Sequence, residues 1–539
     1  MAIHSLDELA MPPSKHNTID HASLTTTFTA PPAMAQRTTN GTDLPRPSTT
    51  ASHQSYLGEQ SLMSYSSPSA SVAPSLNDSF AEIVNDEFMK VTGAASLPPE
   101  KRVEAYAEAF FKYVYHRMAI IDRSDLQTDR PSLLLSQALC LVGTLLRHPR
   151  GTSPLHSGEI YYVRAKTLLS VNHERDHLTI LKSLCLLACW NVTPATMVSL
   201  DGSWHWIGLA IRLALQIGIH KDATCSQLPN AGVARRIAWY LFSQDKFQTA
   251  YFGRPMCMQP KDFDVRRLRL EDFETPDEQA EIFMEYTRLA SILGGMLETQ
   301  RPEYVSSMDK DLGILESLRN WVHELPPHIQ LYDTRGRKVY RRDVYEIHII
   351  YFVNIIMFHL CVPAVRSTAT SIAALVASSC LARLYEEIEW RDDINYFLSV
   401  HHWYVMVACV PQAHYSASLY DPDNLCTEEL NIFIKILEQM RTKWPAVETL
   451  LKKVERLRQS PLGQMDNGSG HMGTLQDGTA SSGSVPMSTI AALFPFPSSV
   501  CPRMGLLEED ITQQGDFSLI AAQAFSDEDL DRFFAEIIQ

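Results

Sequence analysis

His401, His402 and His414 share the stretch HHWYVMVACVPQAHY. Imidazole nitrogens are common metal ligands, so these three raise the question of a metal site. The stretch is mostly apolar, however, and histidines on such a helix are more often satisfied core residues. HELPPH, residues 323–328, comes close to the His-Glu-x-x-His zinc signature. Its histidines stand five apart, and two prolines break the helix that would align them. GSGHMG, residues 468–473, has the Gly-x-Gly-x-x-Gly spacing of a dinucleotide loop. It lies in a Ser/Gly-rich run with no strand before it and no helix after it. Cys185 and Cys189 lie one helical turn apart in LCLLACW and read as core thiols. The sequence contains neither a phosphate loop nor a Gly-x-Ser-x-Gly elbow. No catalytic residue, cofactor or metal ligand is therefore expected, and the chain does not read as an enzyme. RGRKVYRRD, residues 335–343, is the strongest basic cluster. It reads either as the start of a solvated helix or as a nuclear import signal.

The elements around these residues follow from composition and periodicity. The chain has 539 residues, 45% of them apolar, enough for a sizeable core. Its formal charge of −15 argues against a body-wide nucleic-acid surface. Ten scattered cysteines and an opening without an apolar leader predict reduced thiols in a cytosolic or nuclear protein. The uncharged run IHIIYFVNIIMFHLCV, residues 347–362, falls short of the roughly 20 residues a bilayer needs. It is expected to be a buried helix, and no membrane partner is expected.

Residues 1–79 are rich in Ser, Thr and Pro and are expected to be disordered. Residues 80–459 carry helical periodicity and predict an all-α body. VEAYAEAFFKYVYHRMAII reads as one amphipathic helix. In residues 203–217, Trp206, Leu209, Ala210, Leu213 and Ile217 fall on one face. Asp201 or Ser203 suits its N-cap and Gly218 its left-handed end. The next long helix, VARRIAWYLFSQDKFQTAYF, should end at Gly253, with Pro255 blocking resumption. Arg254 then sits at a helix C-terminus, with Asp245 or Asp262 as its expected partner. Residues 460–503 are expected to be a flexible Gly/Ser linker, and 504–539 an acidic amphipathic tail.

SWHWIGLAIRLALQIGIHKD followed by ARRIAWYLFSQDKFQTAYFGRPMCMQPKDFDV resembles the fungal-specific transcription factor domain, the middle regulatory region of fungal zinc-cluster transcription factors. The matching residues are Gly208, Ala210, Arg212, Ala214, Gly218 and His220, then Arg235, Arg236, Trp239, Asp245, Gly253, Arg254, Pro255 and Asp262. Weaker similarity flanks this core, over roughly residues 98–420. It departs where Cys361-Val362 replace the arginine of a Leu-His-Arg-Pro element. The resemblance implies a helical, non-catalytic regulatory domain in which these residues mainly build the scaffold.

Such factors usually carry an N-terminal six-cysteine zinc cluster, whose thiolates fix a DNA-reading helix. The first cysteine here is Cys140, and no two cysteines stand three apart. Promoter DNA is thus expected to be reached through a DNA-binding partner, or through a cluster on a missing exon. Either a homodimer or a heterodimer is open. Residues 504–539 hold nine acidic residues against Arg532 alone. Leu530, Phe533, Phe534, Ile537 and Ile538 fall on one helical face, a pattern that predicts activation through a coactivator groove. The expected function is a nuclear transcriptional activator, serving metabolic or secondary-metabolite genes. The alternative is a helical sensor or enzyme for a hydrophobic small molecule.

Overall fold

The computed structural model describes residues 55–58, 61, 79–147, 154–301, 304, 307–333, 336, 339–362, 367–415, 424–459 and 485–507. Among them are sixteen α-helices and no strand, the all-α class the periodicity predicts. The first six are α1 (Ser79–Thr92), α2 (Glu100–Tyr113), α3 (Leu133–Leu145), α4 (Pro154–Ser170), α5 (His177–Leu187) and α6 (Ser203–Ile217). A short α7 (Asp222–Gln227) leads into α8 (Ala231–Phe252), α9 (Glu278–Glu298) and α10 (Met308–Glu324). The second half holds α11 (Arg342–Cys361), α12 (Thr368–Trp390), α13 (Val400–Tyr415), α14 (Leu425–Arg441), α15 (Val447–Gln459) and α16 (Met487–Ala491).

Packing follows chain order. α3 lies against α2, α4 and α5; α8 packs on α9; α11 touches α9, α12 and α13; α14 joins α12, α13 and α15. One continuous apolar core runs through these contacts. Every residue of α11 except Asp343 is buried, as its all-round apolar sequence requires. It is long and apolar enough to cross a membrane, and here it is wholly enclosed by the other helices.

Three expectations need correction. The helix read across residues 103–121 stops at Tyr113, and a 3-10 turn at Tyr115–Arg117 follows. The break turns His116 and Arg117 inward, where both are buried against Glu346. On α6 the buried stripe is Trp206, Ile207, Ala210, Ile211, Ala214 and Ile217, while Leu209 is exposed. Neither Asp201 nor Ser203 caps α6; the N-cap is Gly202, and Asp201 accepts instead from Tyr162 Oη at 2.6 Å and from Lys166 Nζ.

The third correction concerns the linker. Residues 485–503 belong to the helical body, with Val485, Ile490, Leu493, Phe494, Val500 and Cys501 all buried. Arg503 lies 3.7 Å from the fully buried Glu429 and serves as a counter-charge to it. The body continues through the turn Met504–Leu507, whose Leu507 is also buried. Residues 508–539, including Leu530, Phe533, Phe534, Ile537 and Ile538, lie outside the described residues.

Candidate functional site

The motif residues sort into a fixed scaffold and the edge of a cavity. Gly218 and Gly253 both adopt left-handed backbone, with φ of 90° and 63°. Each ends its helix by donating its N–H four residues back, to Ala214 and Thr249. Arg254, just past the end of α8, does not pair with Asp245 or Asp262. Its guanidinium lies over the rings of Phe252 and Trp204, at 4.6 and 4.9 Å. Pro255 is exposed, as is Asp262, which closes the short turn Pro260–Asp262. Asp245 is used elsewhere. It is buried, accepts the N–H groups of Cys257 and Met258 at 2.9 Å each, and pairs with the buried Lys246 ammonium at 3.0 Å. Burial pulls the Lys246 pKa down, against the upward effect of Asp245.

The two arginines of α8 are held by carboxylates distant in sequence. Arg236 is 1% exposed; its Nη2 reaches Asp122 at 2.6 Å and its Nη1 donates to the Ala119 carbonyl at 2.6 Å. Arg235 Nε lies 2.8 Å from Asp222, and its Nη1 is 3.4 Å from Asp272. The hydrogen bond from Arg235 lowers the Asp222 pKa, outweighing the upward effect of burial. Trp239 is buried edge-on to Phe242 and Phe263, and its Nε1 donates to the Arg266 carbonyl at 2.8 Å. Arg212 is exposed, and a side chain at Gly208 would meet nothing within 4 Å.

Gly218 and His220 form a seat for a residue that sequence reasoning placed in the tail. The Tyr56 N–H donates to the Gln216 carbonyl at 2.7 Å, and its ring stands edge-on to His220 at 5.0 Å. A Cβ on residue 218 would come within 2.9 Å of the Tyr56 side chain. The isolated aromatic in HQSYLGEQSL was the available signal.

A cavity of about 280 Å³ opens beside the end of α8. Tyr251 and Gly253 of α8 border it, as does Cys361 of α11, the residue standing where the resemblance would place an arginine. Trp403, Met406, Val407 and Val410 of α13 give it an apolar wall, closed by Leu450 of α15. Thr249 also lines it, and its buried hydroxyl has no hydrogen-bond partner among the described residues. Lys453 supplies the charge. Close-packed interiors keep few voids larger than a water molecule, so a space of this size stands out from the rest of the core.

The histidines are structural. His401 Nε2 lies 3.4 Å from Glu346, and Tyr385 Oη is 3.1 Å from His401 Nδ1. Glu346 also holds Arg342 at 2.6 Å and His116 at 3.2 Å. Burial alone would raise the Glu346 carboxyl, but Arg342 and then His116 hold it well below the usual range. Burial lowers the pKa of His401 to about 4, against the opposing pull of Glu346, and that of His402 to about 3. His402 Nε2 contacts Tyr251 Oη at 3.1 Å. His414 lies at the far end of α13 from these two. Among the described residues no three His, Cys, Asp or Glu side chains are placed to hold a metal ion. In the basic cluster, Arg341 pairs with Glu278 and Asp343, and Arg342 is buried. Two of its cations are thus committed to the fold; Arg335, Arg337 and Lys338 lie outside the described residues.

Residues 107–318 match the family model described as "Fungal specific transcription factor domain". The chain is 25% identical to the Acetamidase regulatory protein of Aspergillus fumigatus over 334 residues, 58% of this chain and 42% of that one. It is 29% identical to Cutinase transcription factor 1 alpha of Fusarium vanettenii over 244 residues, 40% of this chain and 26% of the relative. It is also 28% identical, over 32% of its length and 18% of the relative's, to the Zn(2)-C6 fungal-type transcription factor FTF1a of Fusarium oxysporum f. sp. lycopersici. The chain thus spans less than half the length of these relatives. No solved structure matches it. The stretch that matches the fungal specific transcription factor domain begins within α2, ends within α10, and holds the buried Arg236, Trp239 and Asp245 and the glycine ends of α6 and α8.

Proposed function

We propose that the chain is a nuclear transcriptional activator of the fungal type, with the helical body as its regulatory part. The observation that carries this is the domain match over 107–318, within which the motif residues Arg235, Arg236, Trp239 and Asp245 are buried. Related proteins are named as regulators and transcription factors, which fits a role other than catalysis. Their names also favour genes of metabolism as targets. Promoter DNA is reached through a DNA-binding partner, or through a zinc cluster beyond the sequence at hand.

Activation is assigned to the acidic segment after the body. Residues 504–539 carry nine acidic side chains and one basic one, which is −8 of the chain's −15. Leu530, Phe533, Phe534, Ile537 and Ile538 would form an apolar face for a coactivator groove, with the acids speeding encounter. The test fuses the full chain to an unrelated DNA-binding domain and reads a reporter gene. Activity should fall when Phe533 and Phe534 are both changed to alanine, and should vanish when residues 508–539 are removed. A silent parent fusion, or activity indifferent to both changes, refutes the assignment.

A further inference from the structure

The cavity beside α8 is walled by side chains that the fold already shields from water. Trp403, Met406, Val407 and Val410 are all buried, yet all four border a space of about 280 Å³. At the roughly 30 Å³ that a water molecule takes in the liquid, this accommodates on the order of ten heavy atoms. Small-molecule sites combine such walls with a few placed polar groups. One such group stands here. A serine or threonine hydroxyl inside a helix commonly donates to the carbonyl one turn back. Thr144, Thr167 and, on α8 itself, Ser243 do so at 2.7, 2.9 and 2.8 Å. The Thr249 hydroxyl is buried, lines the cavity and has no hydrogen-bond partner among the described residues. Buried hydroxyls are partnered as a rule, so this one is left for an occupant. The Tyr251 hydroxyl nearby is already engaged, since it meets His402 Nε2 at 3.1 Å. Thr196 and Gln300 also line the cavity, but both are exposed and can bond to water.

We propose that this cavity binds a neutral, largely apolar molecule that carries one hydroxyl or carbonyl oxygen. Its hydrocarbon body lies among Trp403, Met406, Val407 and Leu450, and its oxygen accepts a hydrogen bond from the Thr249 hydroxyl. Removing the hydrocarbon from water supplies most of the affinity. The hydroxyl selects for the oxygen, because a plain hydrocarbon leaves it unpaired. A charged head group at Thr249 would exchange its water for one uncharged hydroxyl and apolar side chains, a loss that a single hydrogen bond does not recover. Arg254 takes no part, because its guanidinium is stacked on Phe252 and Trp204. The binding does not rest on the transcriptional reading. A chain that never touches a promoter would still take the ligand.

The test uses the purified full chain and four probes built on one phenylbutane skeleton: benzylacetone, butylbenzene, phenylbutyrate and phenylbutylammonium. Each is titrated calorimetrically at neutral pH. Benzylacetone should bind with one site per chain, about fivefold more tightly than butylbenzene, the scale of one net hydrogen bond. It should bind about tenfold or more above either charged probe. Thr249→Val keeps the shape of the side chain and removes its hydroxyl. It should weaken benzylacetone about fivefold and leave butylbenzene no weaker. Leu450→Trp fills the cavity and should abolish binding of both. Should Leu450→Trp fail to fold, as read by its circular dichroism and melting, Thr249→Val decides alone. The proposal is overturned if no probe binds, if phenylbutyrate or phenylbutylammonium binds as tightly as benzylacetone, or if Thr249→Val leaves the benzylacetone affinity unchanged.

Discussion

His402 should make the fold sensitive to mild acid, and His402→Gln should remove that sensitivity. The imidazole is 1% exposed, and its Nε2 meets Tyr251 Oη at 3.1 Å. Burial, and then the adjacent His401, lower its pKa to about 3, against about 6.5 in an unfolded chain. The folded protein therefore keeps the neutral ring, and the unfolded chain takes up the proton as pH falls. A depressed folded pKa gives stability that is complete above about 6.5 and lost as pH drops towards 3. Between pH 7 and pH 5 the unfolded ring goes from about a quarter protonated to nearly fully protonated, while the folded ring stays neutral. At about 1.4 kcal/mol per pH unit, that removes about 2 kcal/mol of stability. Urea unfolding at pH 7 and pH 5 measures it, with carboxylate contributions common to parent and variant. His402→Gln keeps a group able to bond Tyr251 and has nothing to titrate. Its loss between the two pH values should be about 2 kcal/mol smaller than the parent's. Equal losses would show that the ring is already charged in the fold, or is not enclosed as described.

Asp122→Ala leaves the buried Arg236 guanidinium without its carboxylate at 2.6 Å, and should cost about 3–5 kcal/mol by urea unfolding. Arg236→Met in the same background should recover part of that loss, because the unpaired charge is gone. Trp239→Ala opens a cavity between Phe242 and Phe263 and removes the bond to the Arg266 carbonyl. It should lower stability by about 3–5 kcal/mol, and a variant melting with the parent would contradict its burial. Gly253→Val forces a β-branched residue to a φ of 63°; a loss of about 2 kcal/mol or more is expected, whereas Gly253→Asn should lose less.

Local signals were legible where one short segment decides the outcome. A left-handed glycine ends a helix whatever lies around it, so Gly218 and Gly253 were placed correctly from sequence. The all-round apolar α11 likewise had one place to go. Pairings across the chain were not legible. Asp122 lies over a hundred positions before Arg236, and no periodicity links them. The cavity draws on helices from α8 to α15, so no single stretch announces it. The 485–507 segment was missed because Ser, Pro and Gly dominate its surroundings. Ile490, Leu493 and Phe494 nevertheless stand at i, i+3 and i+4, the spacing that marked the other buried faces. Arg254 was misassigned for a different reason. Carboxylates stand nearby in sequence, but the aromatic pair Trp204 and Phe252 is the cation's neighbour in space.

Crosslinking the tagged chain to chromatin in its own cells, with sequencing of the recovered DNA, tests the transcriptional account most directly. The account predicts enrichment at a defined set of promoters, with transcripts of the adjoining genes falling when the chain is deleted. Enrichment should appear even if another protein supplies the DNA contact, because crosslinking captures partners along with their DNA. A uniform chromatin signal, together with unchanged transcripts after deletion, would contradict it.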